Sequence, residues 1–303
     1  MVGIPCVNEA KNIERLLTRL TNITEPLINA IYVVSASSDE TDSIVEQIQK
    51  AEPKIHLIKE PSREGKASAW NKIIRMAEFS GADVLIYLGG DNLPDENSFL
   101  HLLKPFNNPE IGIVGSKPVP INPSANAFCE WFAHELWNIH HIVNVKVAPK
   151  ISGELMALRV GVVREMPPNI INDDFYLEQL FLVRGFKVAY APNCVVYLKA
   201  PASIRDIIRQ RRRIYLGHYQ LKLLLGVKPS TARLSSMKYM FEAMPYKSIK
   251  SHAYLAFAIF IQLIAYVLSK SDLLRGQISN IWKMVESTKT LGLRDGGDTV
   301  RNE

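Results

Sequence analysis

The chain is poor in cysteine: Cys6, Cys129 and Cys194 are the only three, odd in number, far apart and without ligand-like spacing. This argues against a disulfide framework and a zinc site, and buried thiols in a reducing compartment are the expectation. There is no internal repeat and no low-complexity tract. There is no basic-then-apolar leader either, since Val2 to Cys6 is already strand-like and Asn8 to Lys11 is polar, so the folded part is expected to stay in the cytoplasm. No recognisable nucleic-acid-binding module occurs, and few aromatics interleave with the basic run at Gln210 to Arg213, which argues against nucleic acid as a partner.

What is present is a globular chain of 303 residues, 47% hydrophobic, enough for one large domain or two ordinary ones. Its formal charge of +6 permits an anionic partner such as nucleotide phosphates or acidic lipid headgroups. Apolar runs at Met1 to Cys6, Ala30 to Val34, Ile55 to Ile58 and Val84 to Leu88 read as strands. Helical patterns separate them: Ile13, Leu16, Leu17 and Leu20 share one face, a second helix begins near Asp42, and a third runs from about Lys66 to Ser80. Strands alternating with helices of this length imply an α/β fold with a doubly wound, mainly parallel sheet.

The most informative stretch is Val84-Leu-Ile-Tyr-Leu-Gly-Gly-Asp-Asn-Leu-Pro94. A strand apolar on both faces ends on two glycines, which let backbone approach a ligand, and then on Asp91 and Asn92, which offer oxygen. The carboxyl edge of an open α/β sheet is where small molecules bind, and oxygen donors there suit Mg²⁺ or Mn²⁺ bridging phosphates. Taken alone, the same residues also read as a turn leading to a helix capped near Asp95. Small and polar residues at Ser35-Ala-Ser-Ser-Asp-Glu-Thr41 are expected to cap the following helix and to offer free N–H groups to an anion.

Further along, Ile111 to Val114 reads as a strand, and Ala127 to Val145 as a helix whose His134, His140 and His141 lack a carboxylate at a metal-binding offset, so aromatic packing is expected of them. Ser152 and Gly153 turn into a strand, a helix opens at Asn172-Asp-Asp and ends before Gly185, and Phe186 to Tyr190 and Val195 to Leu198 close the sheet. Ile204 to Leu225 is a basic amphipathic helix suited to an anionic membrane surface. Ala253 to Leu268, apolar except for Gln262 and flanked by Lys247, Lys250 and Lys270, falls slightly short of the roughly 20 residues that span a bilayer. A short or tilted membrane helix, a re-entrant segment and a buried core helix are all compatible with it. The tail from 287 to 303 is expected to be flexible.

The order of these motifs resembles the family 2 inverting glycosyltransferases of the GT-A fold, the group that includes cellulose, chitin and hyaluronan synthases and polyprenyl-phosphate sugar transferases. The likeness runs from Ile4 to about Gly217. Pro5-Cys-Val-Asn8-Glu9 is similar to the opening Pro-x-x-Asn-Glu motif, Ser37-Ser-Asp39-Glu-Thr41 to the Ser-Ser/Thr-Asp-Gly-Thr loop, and Gly65-Lys66-Ala-Ser-Ala-Trp-Asn71 to the Gly-Lys-Ala-x-Ala-x-Asn helix start. Gly89-Gly-Asp91 stands at the Asp-x-Asp metal motif, Ser152-Gly153 at the turn lining the sugar pocket, Asp173-Asp174 at the Glu-Asp motif, and Gln210-Arg-Arg-Arg213-Ile214 at Gln-x-x-Arg-Trp. Three positions depart from the pattern: Gly89 replaces the first acid of the metal motif, Ser35 an acid of the second loop, and Ile214 the tryptophan.

The resemblance implies transfer of a sugar from a nucleoside diphosphate sugar to a lipid-linked or polysaccharide hydroxyl, assisted by Mg²⁺ or Mn²⁺, at a membrane. It implies Asp174 as general base with Asp173 beside it, and Pro5, Asn8, Glu9, Asp39, Lys66, Asn71 and Asp91 as nucleotide-sugar contacts. Asp91 is the implied metal ligand, and Ser152, Gly153, Gln210 and Arg213 are the implied acceptor and diphosphate contacts. The implied organisation is a catalytic domain over 1–200, membrane-associated helices over 201–286, and the tail. The lost acid and tryptophan leave a non-catalytic nucleotide-sugar-binding scaffold as the alternative. A nucleotidyltransferase is disfavoured because its glycine-rich signature at the first strand is missing.

Overall fold

The computed structural model describes residues 1–23, 28–121, 126–227 and 248–281; the expected flexible tail lies outside them. In chain order the elements are β1 (Val2–Cys6), α1 (Ile13–Asn22), β2 (Ile31–Ser35), α2 (Thr41–Ala51), β3 (Ile55–Lys59), α3 (Lys66–Phe79), β4 (Val84–Leu88) and β5 (Asn92–Pro94). They continue with α4 (Ser98–Leu103), a short 3₁₀ turn, β6 (Ile111–Pro120), α5 (Ala127–Lys146), β7 (Leu155–Arg159), α6 (Asp173–Val183), β8 (Lys187–Leu198), α7 (Ile204–Leu225) and α8 (Ile249–Leu274). One sheet has the order β3-β2-β1-β4-β7-β6-β8-β5. Strands β1 to β4 are parallel, β7 runs antiparallel between β4 and β6, and β8 is parallel to β6. This is the mainly parallel α/β sheet expected from the alternation.

Strand β4 is apolar throughout because both of its faces are covered. Ile86 and Leu88 enter one core with α1 residues Ile13, Leu16, Leu17 and Leu20 and with Phe99 and Leu102 of α4. Leu85 and Tyr87 enter the other, with Trp70, Ile73, Ile74 and Ala77 of α3 and Leu177 and Phe181 of α6. There Trp70 and Tyr87 stack with ring centroids 4.0 Å apart. The three cysteines are buried and form no disulfide. Of the α5 histidines, His140 and His141 pack as expected, His140 meeting Trp137 edge-on and His141 Nδ1 lying 2.7 Å from the Tyr190 hydroxyl, whereas His134 is exposed to solvent.

Four expectations change. The two closing strands are one, β8, whose ladder to β6 is interrupted by an irregularity opposite Gly115 to Lys117. The helix expected near Asp95 begins at Ser98, because Asn92–Pro94 pairs with β8 as a short strand. The apolar helix is longer than its apolar core, 26 residues, and is the one helix among those described that is long and apolar enough to cross a membrane. The basic run of α7 is not an open patch: Arg211 Nε donates to Gln262 Oε1 at 2.9 Å, Tyr215 donates to the same oxygen at 3.0 Å, and Arg212 pairs with Asp272, which is only 2% exposed.

Helix α7 therefore has two seams. One holds α8 through those polar groups and through Ala258, Ile261, Ala265 and Ser269, a buried stripe at helical spacing. The other touches the start of α6, where Asn172 Nδ2 donates to Ile214 O at 3.1 Å and a Cβ at Gly217 would lie 2.4 Å from Asn172 Cγ. Asn172 is buried and has no room to retreat. Gly217→Ala should cost about 1–3 kcal/mol by overpacking this contact. Urea denaturation checks it, and an unchanged midpoint would show that α7 yields freely.

Candidate active site

The parallel strands end at one edge, and their following loops and helix N-termini gather there. Because β7 is antiparallel to β4, its beginning returns to that same edge. Lys66 opens α3, Asp173 and Asp174 open α6, Gly153 and Glu154 precede β7, and Asp91 follows β4. Each parallel strand must hand over to a helix there, so the sheet brings together residues far apart in sequence.

At the centre, Lys66 Nζ lies 2.9 Å from Asp173 Oδ2, which also accepts from Trp70 Nε1 at 2.7 Å. Asp173 is 3% exposed. Burial opposes the Lys66 charge, but Asp173, with Tyr87 and Asp174 beyond it, holds the ammonium protonated and its pKa above the lysine range. The ammonium also stands 5.0 Å over the Tyr87 ring. A Cβ at Gly153 would lie 3.0 Å from Lys66 Nζ and 3.6 Å from Asp174 Oδ2, so the glycine turn admits both side chains. Asp174 is half-buried, and burial, then the neighbouring Asp173 charge, pushes its pKa up against the pull of Lys66. The paired acids are thus unlike: Asp173 is committed to Lys66 and Trp70, and Asp174 is the one whose proton affinity is raised.

Glu154 belongs to this group, and sequence reasoning missed it. Burial and then the Asp174 charge raise its pKa to about 7, with Lys66 opposing. The available signal was an acid at the mouth of an apolar strand, two residues after Ser152. Its Oε2 and the Ser152 Oγ are buried beside each other, and the hydroxyl works with Lys66 against the shift.

The first two loops form a second group. Asn8, in the left-handed region at φ +56, donates its N–H to Ser37 Oγ, and its Oδ1 accepts from Ser38 N. Asp39 accepts from Thr41 Oγ1, Thr41 N and Ala10 N; burial works upward on it, but these bonds, the Thr41 hydroxyl first, win and lower its pKa. The N–H groups of Ser37, Ser38 and Thr41 are thus spent within the loops rather than free for an anion. Glu9 is buried, caps the turn into α1 through Asn12 and approaches Gly90, where a Cβ would lie 3.1 Å from its Cγ. Pro5 sits within β1 beside Val34. Asn71 is turned away from the edge: its amide makes two 2.8 Å bonds with the backbone of Met166. Gln210 and Arg213 are half-buried on α7, and the Arg213 charge reaches Arg63 of the β3–α3 loop.

No group of three or more His, Cys, Asp or Glu side chains among the described residues can hold a metal by itself. Asp91 and Glu154 at the edge are two oxygen donors, which suits a divalent cation that completes its shell with diphosphate oxygens and water.

The family model for Glycosyl transferase family group 2 matches residues 84–279, and that for Glycosyl transferase family 2 matches residues 1–131. The chain belongs to the family 2 glycosyltransferases. Curated relatives of this glycosyltransferase include poly-beta-1,6-N-acetyl-D-glucosamine synthases of Staphylococcus aureus, 22% identical over 73% of this chain and 54% of theirs, and of Staphylococcus epidermidis, 23% identical over 79% and 59%. It spans about half the length of the curated relatives it matches. In fold it is similar to a Pyrobaculum calidifontis mannosyltransferase solved with GDP-Man and Mn²⁺, with TM-score 0.59 and 19% identity over 93% of this chain and 86% of that one. A second likeness is to the glucosyl-3-phosphoglycerate synthase of Mycobacterium tuberculosis, with TM-score 0.51 and 18% identity over 76% and 80%. These likenesses carry the GT-A fold; the enzymatic class comes from the family.

One buried acid behind the glycosyltransferase site generates a pH prediction. Glu178 Oε2 accepts from Ile151 N at 2.8 Å, with Lys150, Asp174 and the Gln179 amide as its other polar neighbours. Burial dominates and raises its pKa to about 7 from an ordinary 4.5. The folded chain therefore holds this proton more tightly than the unfolded chain, and stability falls as pH rises from about 4.5 to about 7. The loss is on the order of 3 kcal/mol. Glu178→Gln keeps an acceptor for Ile151 and removes the titration, so it should gain on wild type between pH 5 and pH 8 in urea denaturation; parallel curves would contradict this.

Proposed function

We propose that the enzyme transfers a sugar from a nucleoside diphosphate sugar to an acceptor hydroxyl in one displacement, with inversion at the anomeric carbon and Asp174 as general base. The observation that carries this reading is the division of labour between the paired acids, which leaves Asp174 beside Gly153 and Lys66 with a raised pKa. A base of this kind is worth roughly 10²–10⁴ in rate when it can reach the proton it removes. Lys66 would hold negative charge on the diphosphate as a point charge, and Arg213 would add a second cation from α7. Pro5, Asn8, Glu9 and Asp39 would frame the nucleotide through the interlocked first loops. Ser152, Gly153 and Gln210 would border the sugar and acceptor. Asn71 serves the site by fixing the Met166 loop.

Asp91 would hold Mg²⁺ or Mn²⁺, which when bound supplies charge stabilisation to the leaving diphosphate. The Mn²⁺ complexes of fold relatives support a divalent cation here. The poly-N-acetylglucosamine synthase relatives support a saccharide acceptor. Membrane association is supported by α8, whose outward face exposes Phe260, Leu263 and Val267, with Lys250 and Lys270 near its ends. In this reading residues 1–200 carry the chemistry and 201–286 present it to a membrane-held acceptor, α7 linking the two.

Asp174→Asn should lower sugar transfer by about 10²–10⁴ while calorimetric binding of UDP- or GDP-sugar donors persists; wild-type turnover would remove Asp174 from the role. With its pKa raised, the wild-type rate should climb with pH through a midpoint above the ordinary aspartate range. For the membrane part, carbonate washing should leave the protein in the membrane pellet, and release into the supernatant would refute integral insertion.

A further inference from the structure

The metal motif of this chain carries glycine where the resemblance leads one to expect its first acid. Position 89 cannot readily take a side chain here. A Cβ on Gly89 would stand 2.5 Å from Asn92 Nδ2 and 3.1 Å from Asp91 Oδ1. The Asn92 amide is not free to swing away, because Asn92 is buried and its Nδ2 donates to Glu154 O at 3.0 Å. Gly89 N donates to the same carbonyl at 3.1 Å. The Gly-Gly-Asp-Asn turn is therefore tied at two points to the backbone of Glu154.

Those bonds also set the register. The β4–β7 ladder pairs Leu88 with Leu155 and Tyr87 with Met156, so the next antiparallel pair is Gly89 with Glu154. Directly opposed residues of an antiparallel pair project from the same face, with Cβ atoms about 4.5–5.5 Å apart. That face is the one carrying Tyr87, Trp70 and Met156, above which Lys66 and Asp173 meet. Glu154 thus projects its carboxylate over the edge at which an acid in position 89 would stand. Its Oε2 is buried, with the Oγ of Ser152, a residue 4% exposed, as its neighbouring hydroxyl. A buried carboxylate with so little to meet its lone pairs is costly unless a ligand completes them.

We propose that Glu154 replaces the missing acid from the neighbouring strand, so that a divalent cation bound with the donor diphosphate is held between Asp91 and Glu154. The inference rests on the donor-site reading above. It explains why Gly89 and Asn92 occur together: the amide that fills the space over Gly89 is the group that fixes Glu154 in place.

The test is an electron paramagnetic resonance titration of Mn²⁺ with the full chain in the presence of UDP and, separately, GDP. Glu154→Gln should weaken Mn²⁺ binding at least roughly tenfold, the loss that even outer partners of a metal site cause, and Asp91→Asn should do so as well. Glu154→Gln should melt no lower than wild type, since an uncharged amide replaces a buried acid and keeps an oxygen for Ser152 to meet. A merely structural role for Glu154 predicts the opposite pair of results. Glu154→Asp, which keeps the charge and shortens the reach, should fall between Gln and wild type. Wild-type Mn²⁺ affinity in Glu154→Gln with loss in Asp91→Asn overturns the role of Glu154 alone. Wild-type affinity in both variants overturns the placement of the cation at this edge.

Discussion

The bond between Lys66 and Asp173 organises the sheet edge that forms the candidate site. It joins the first residue of α3 to the first residue of α6 across the ends of β4 and β7, and Trp70 closes it from below on the same carboxylate oxygen. Asp173 is buried while Lys66 keeps part of its side chain in solvent, so removing Lys66 would leave a buried carboxylate without its cation, a loss of several kcal/mol. The Trp70–Tyr87 stack under the pair locks the helix against the sheet. With Asp173 committed in this way, the next residue faces Gly153 under the influence of a neighbouring negative charge rather than a dedicated cation. A structural ion pair thereby shapes the proton affinity of the acid beside it.

The reversed strand β7 matters as much. Were it parallel to β4, its first residues would lie at the opposite edge, and Gly153 and Glu154 would be a strand length away from Lys66. Running antiparallel, it delivers a turn wide enough for two charged side chains and an acid in register with Gly89. The sheet topology thus supplies the site with a contributor that the order of motifs along the chain does not reveal.

Much of this was legible in residue order. The apolar face of α1, the strand ending on Gly89, the start of α3 at Lys66 and the span of α7 follow from periodicity and punctuation, which are local properties. What sequence did not disclose depends on register and tertiary pairing. Glu154 looks like an incidental acid until the Gly89 pairing is known. Arg211 and Arg212 read as part of a basic helix for an anionic membrane surface because Gln262 and Asp272, their partners, lie at separations of 51 and 60 residues. The loop at Ser37 to Thr41 has the composition of an anion cradle, but its N–H groups are taken by Asn8, Ser35 and Asp39, an interlock visible only when two loops are set side by side.

The site also carries groups that a protein built only for stability would avoid. Ser152 Oγ and Glu154 Oε2 are buried with little beyond each other to meet, Arg213 Nε is buried without a partner, and Asp174 and Glu154 both have raised proton affinity. Each such group costs free energy in the folded chain, and natural sequences tolerate the cost where binding or chemistry needs it. Their placement follows a pattern. The Ser152 and Glu154 oxygens sit in the turn just before β7 at the sheet edge, where a cation would be held, and the unpartnered Arg213 nitrogen sits on α7, beside Arg63. Opposite charges offered from two separate elements are complementary to a ligand that is itself a metal-bound polyanion, and α7, anchored by Asn172 on one side and α8 on the other, sets the distance between them.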